Sequence, residues 1–239
     1  MTAASIDTAA RRRAVESVEA LPGWLLEGDA AALYDLAHGA HGPILEVGTY
    51  RGKSTVLMAT ALRDAGLDGP VVSLDVDAAG LREAAAELSR GDLADRVVLV
   101  RGTAQALLRV QRGFTPAFVF LDGDHSRRGV ARDLRALRDR VPAGAPILLH
   151  DYHDARNADP AEPDYGVPQA VADSWVAADC ELEGVYGCSG LFVRRAGPPR
   201  EPDQDGLVTG GEIVELGREP LRSWFDRRVL GAMDRRLRR

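Results

Sequence analysis

Two acidic stretches, FLDGDH and LLHDY, each set a histidine beside an aspartate that closes an apolar run: His125 three residues past Asp122, and His150 next to Asp151. An imidazole titrates near neutral pH and can take the proton of a hydroxyl directly. His125 is therefore the first candidate for a general base, with His150 as its competitor. His38 and His41 flank a helix end, where capping is expected, and His153 attracts no role.

A second chemical stretch is EVGTYRGKST, residues 46 to 55. It is one residue short of the phosphate-cradling G-x-x-x-x-G-K-[ST], and that shortening would misplace the converging backbone N–H groups. It also fails G-x-G-x-x-G, because Tyr50 stands where close pyrophosphate approach needs a bare backbone. The run ending at Asp122 could pass for the acid partner of a triphosphatase loop, so a nucleotide-binding protein remains an alternative.

The elements that position these residues are legible from periodicity. Short, nearly continuous apolar runs at 43–48, 70–76, 96–101, 116–122 and 145–151 read as strands buried on both faces. Helical stretches at 53–65, 78–90, 103–112 and 127–140 lie between them, and another spans about 167–178. That alternation predicts an α/β fold, a doubly wound and mostly parallel Rossmann-like sheet with helices on both faces. CELEGVY and SGLFVRR, close together around Gly187 and Gly190, predict a hairpin. Residues 8–38 read as two helices separated by LPGW.

The whole chain limits what those groups can serve. It has 239 residues, 45% hydrophobic and 28% charged, with a net charge of −6, which suits a soluble globular domain and offers no basic field for nucleic acid. There is no apolar run long enough for a membrane span and no leader-like N-terminus, so a cytoplasmic protein is expected. Cys180 and Cys188 are too few for a zinc cluster and are expected to be structural. Lys53 is the sole lysine.

The order E-V-G-T-Y-R-G-K-S-T, L-D-V-D, G-T-A-Q, F-L-D-G-D-H, L-L-H-D-Y resembles the class I S-adenosylmethionine-dependent methyltransferases, of the catechol-type and macrocin-type small-molecule O-methyltransferases, over residues 21 to 195. The resemblance implies a seven-stranded sheet with one antiparallel strand, S-adenosylmethionine as cofactor and S-adenosylhomocysteine (SAH) as product. Gly48 and Gly52 would admit the amino-acid tail, with Glu46 attracting its ammonium and Ser54 and the helix start receiving its carboxylate. Tyr50 would touch the cofactor, Asp75 would accept the ribose hydroxyls, and Gly102, Thr103, Ala104 and Gln105 would border the adenine. Asp122 would face the cofactor too and, with Asp151, hold a divalent ion such as Mg2+.

One departure stands out. Tyr152 follows Asp151 where those groups carry Asn or another acid, and a phenol is a poor magnesium ligand. Two forms of the site stay open: a metal completed by Asp124, His150 or water, or no metal. The expected acceptor is a small molecule, a sugar or glycosylated natural product; a non-catalytic cofactor-binding protein is the reading from another class. The chain divides into an N-terminal helical lid (1–42), a cofactor-binding domain (43–196) and a C-terminal extension (197–239). Trp24 is expected to pack the N-terminal helix, and Pro220 to Arg239 are expected to form an amphipathic basic helix; either terminal element could join a homo-oligomer.

Overall fold

The computed structural model describes residues 6–195 and a strand at 213–215. Strands β1 (Ile44–Val47), β2 (Val71–Asp75), β3 (Val97–Arg101), β4 (Phe118–Leu121) and β5 (Pro146–Leu149) are parallel neighbours. Strand β6 (Cys180–Tyr186) and strand β7 (Ser189–Arg194) form the expected hairpin, and β7 enters antiparallel to β5. A short β8 (Ile213–Glu215) adds to the β3 edge inside the segment read only as an extension, giving the order β6-β7-β5-β4-β1-β2-β3-β8. The chain order reverses between β1 and β4, and at such a point a crevice opens beyond the carboxyl ends of the strands.

Strand periodicity divides the core. Leu45, Val47, Val119, Leu121, Ile147 and Leu149 pack on one face against α5 (Ala104–Val110), α6 (Arg127–Leu137), α7 (Val167–Ala172) and α8 (Trp175–Asp179). Ile44, Phe118, Phe120 and Leu148 pack on the other, against α1 (Thr8–Val18), α2 (Glu27–His38), α3 (Lys53–Asp64) and α4 (Ala78–Arg90). Burying each such side chain contributes roughly 1.5–3 kcal/mol.

Helix starts follow local chemistry. Asp77 accepts the N–H groups of Ala79 and Gly80 to open α4, Thr103 caps α5, and Ser126 caps α6. The helix expected over 167–178 is two pieces, because Ser174 leaves helical geometry and caps a new start at Trp175. The expected C-terminal helix at 220–239 lies outside the described residues. No helix among the described residues is long and apolar enough to cross a membrane.

Candidate active site

A cavity of about 930 Å³ occupies the crevice. Its cofactor-side wall is the turn after β1. Gly48 has φ 102°, and a Cβ there would lie 2.0 Å from the Asp122 carbonyl oxygen, so only glycine lets the ends of β1 and β4 approach. Tyr50, also left-handed at φ 48°, gives its N–H to Asp75 Oδ2 at 2.7 Å, while Asp75 Oδ1 takes the Asp77 N–H at 2.9 Å. Asp75 thus sits at the cavity wall on a fixed rotamer, with Val76 exposed beside it and Gly102, Thr103 and Ala104 across from it.

Four expected contacts are redirected. Glu46 does not reach the cavity: strand parity turns it with Ile44 toward α3, where it is fully buried and accepts the hydroxyls of Ser54, Thr55 and Ser73. Burial pushes its carboxyl up to about 7, against the lowering effect of those three donors. Ser54 lines the cavity, yet its hydroxyl is spent on Glu46. Gly52 serves packing, since a Cβ there would lie 2.8 Å from that of Ala84 on α4. Gln105 gives its amide to Asp133 at 2.5 Å, and it is Asp133 that reaches the cavity wall.

The opposite end gathers the histidines and acids. Asp151 is buried and left-handed (φ 55°), a conformation that costs about 1–3 kcal/mol and is characteristic of functional sites. Asn157 steadies it by donating to the Asp151 carbonyl at 2.6 Å. His125 Nδ1 faces Asp151 Oδ2 at 3.3 Å, its Nε2 lies 3.9 Å from Asp122 Oδ1, and its ring stacks on Tyr165 with centroids 5.5 Å apart. Arg156 lies over the Tyr165 ring, 4.1 Å from its centroid, and bonds Asp154.

His150 is a different group. It is 6% exposed, edge-on to Phe120, with Nδ1 2.9 Å from Asp122 Oδ1 and 3.4 Å from Asp151 Oδ1. The ring N–H is not aimed along the shorter contact, which makes it electrostatic in character. Burial alone would lower its pKa, but Asp122 and Cys188 override that and push it up to about 11. With its two ring nitrogens facing Asp122 and Cys188, His150 is not offered to an acceptor as a base.

Magnesium does not fit the acid pair. It needs a hard, octahedral oxygen cage, whereas an imidazole nitrogen lies between Asp122 and Asp151. Tyr152 adds no ligand, because its ring turns into the space left by Gly190 and meets Phe192 edge-on at 5.2 Å.

The segment 22–26 roofs the cavity. Trp24 does not pack the helix as expected: it is 80% exposed and tilts over Tyr50 at 6.0 Å. Lys53 holds that roof, its ammonium donating to the Glu19 and Gly23 carbonyls at 3.2 and 3.1 Å. Sequence reading missed Asp29, Asp133, Arg156 and Tyr165, and it took Cys188 for a structural thiol. Cys180 is indeed buried in the core, but Cys188 lines the cavity against His150 at 3.4 Å. Asp29 carried a faint signal, three residues after Leu26, whose N–H it accepts as in a capping box.

Solved structures share this architecture. An O-methyltransferase from Bacillus cereus in complex with SAH has 20% identity and a TM-score of 0.60, covering 80% of this chain and 92% of that one. TomG from Streptomyces achromogenes, an O-methyltransferase of tomaymycin synthesis in complex with S-adenosylmethionine, has 22% identity and a TM-score of 0.60 over the same shares. SAH-bound PaMTH1 of Podospora anserina has 18% identity and a TM-score of 0.61, covering 82% and 91%. These likenesses speak to the fold. The family model described as a methyltransferase domain matches residues 45–152, from β1 to the residue after Asp151, so the stretch that builds the crevice is similar to a methyltransferase domain.

Proposed function

We propose that the chain transfers the methyl group of S-adenosylmethionine to a hydroxyl of a small molecule, a sugar or glycosylated natural product, with His125 as general base. The cofactor lies between the glycine turn and Asp75; the acceptor lies under Trp24, toward His125. As the acceptor oxygen attacks the methyl carbon, the carbon–sulfur bond breaks, SAH leaves without the sulfonium charge, and the hydroxyl proton passes to His125 Nε2. Asp151 faces the other ring nitrogen and stabilises the imidazolium, the orienting role that a base of this kind requires.

The observation that carries the reading is the contrast between the two histidines. His125 is half-exposed at the cavity with an acid behind it, while His150 is buried among acids. The acceptor end also mixes an exposed indole with Asp124, Arg156 and Tyr165, groups suited to a ring bearing many hydroxyls. The name of TomG supports a hydroxyl acceptor in a relative of this fold.

His125→Gln should lower turnover by about 10²–10⁴-fold and leave SAH affinity unchanged by calorimetry. A loss of only a few fold removes His125 from the chemistry. Magnesium added to the desalted protein should not change turnover; a magnesium-dependent rate would restore the oxygen-cage site. Product formation from labelled cofactor with sugars, but not with simple catechols, would separate the acceptor classes.

A further inference from the structure

We propose that Asp29, His150 and Cys188 bind a divalent ion of the zinc class at the floor of the acceptor end. The three residues come from α2, the end of β5 and the β6–β7 turn, and all are buried. Cys188 Sγ lies 3.4 Å from His150 Nε2 and 3.5 Å from Asp29 Oδ2, and those two atoms are 3.8 Å apart. Metal bonds of about 2.0–2.3 Å at tetrahedral angles put neighbouring donors about 3.3–3.6 Å apart. Two edges match and the third is a few tenths longer. Asp151 Oδ1 lies 3.4 Å from the same sulfur, beside this cluster of three donors.

A second feature points the same way. Histidines that ligate metals commonly have a carboxylate beside their other nitrogen, and Asp122 Oδ1 lies 2.9 Å from His150 Nδ1 as an electrostatic partner, off the line of its N–H. Asp29 is likewise held in place: its Oδ1 takes the N–H of Cys188 and both the N–H and the hydroxyl of Ser189, while Oδ2 takes the Leu26 N–H and faces the Cys188 thiol. A sulfur, a nitrogen and carboxylate oxygens select zinc or cobalt over magnesium. The ion would tie the helix that follows the roof to the hairpin, joining positions 29, 150 and 188.

Cobalt(II) serves as the probe, titrated into the full chain after dialysis against a chelator. The expected result is a single ion per chain, with thiolate-to-cobalt charge-transfer absorption and the intense visible bands of a tetrahedral site. Zinc should displace it and excess magnesium should not. Cys188→Ser should lose the charge-transfer band and bind cobalt at least about tenfold more weakly, while Cys180→Ser, altered in the core and away from the cluster, should keep the band. Should Cys188→Ser fail to fold, Asp29→Asn is read in its place, with the same loss of affinity expected. The proposal is overturned if the parent shows no such band, if magnesium displaces the ion, or if the substituted chain retains the parent's affinity.

Discussion

Asp75 fixes two backbone N–H groups, one from the turn after β1 and one from the turn after β2, and so is already held in place for the ribose contact proposed for it. Hydrogen bonds to a charged group contribute about 1.5–3 kcal/mol. Asp75→Ala should therefore weaken SAH binding by about tenfold or more, measured by calorimetry, and also free the left-handed Tyr50 turn. Unchanged affinity would remove Asp75 from the ribose site. The histidines teach a related lesson at the same scale, since both stand beside acids in the sequence and yet meet opposite environments. His125 is offered to the cavity by the turn that starts α6, whereas His150 ends a strand and is swallowed by the sheet.

Among the elements, two contacts set the crevice. β1 and β4 meet where Gly48 opposes the Asp122 carbonyl, and neither strand end can yield without breaking the ladder. Gly48→Ala should cost more than about 3 kcal/mol, from the clash together with the positive φ, seen as a lower denaturant midpoint. The roof is held more lightly. Lys53→Met removes both bonds from α3 to the segment after α1, and the amides of residues 19–26 should exchange faster by an opening free energy lowered by about 1–2 kcal/mol. Equal exchange in the two proteins would show that Trp24 is positioned without its lysine.

For the molecule as a whole, Glu46 links stability to pH. Its carboxyl is raised from its ordinary value of 4.5 to about 7 in the folded state, so between those values the folded chain holds a proton that the unfolded chain has released. Its contribution is fully present below about pH 4.5 and is lost as pH rises through about 7, at most about 3 kcal/mol. Glu46→Gln should flatten that part of the stability–pH curve, followed by urea unfolding at several pH values. A parallel curve in the variant would mean that Ser54, Thr55 and Ser73 keep the carboxylate ionised.

The strand runs, the acids that end them and the glycine turn were all written locally, because a buried parallel strand needs unbroken apolar residues and a sharp turn needs glycine. From these the sheet, the crevice and Asp75, Asp122, His125 and Asp151 at its rim could be read before any coordinates. Which way Glu46 faces depended on strand parity relative to α3, and Gln105 was claimed by Asp133 from another helix. Asp29 and Cys188 lie 159 residues apart, and nothing local to either announces the other. Only packing α2 against the hairpin brings that carboxylate, the thiol and His150 together, because contacts between distant segments are fixed by the shapes of the elements between them.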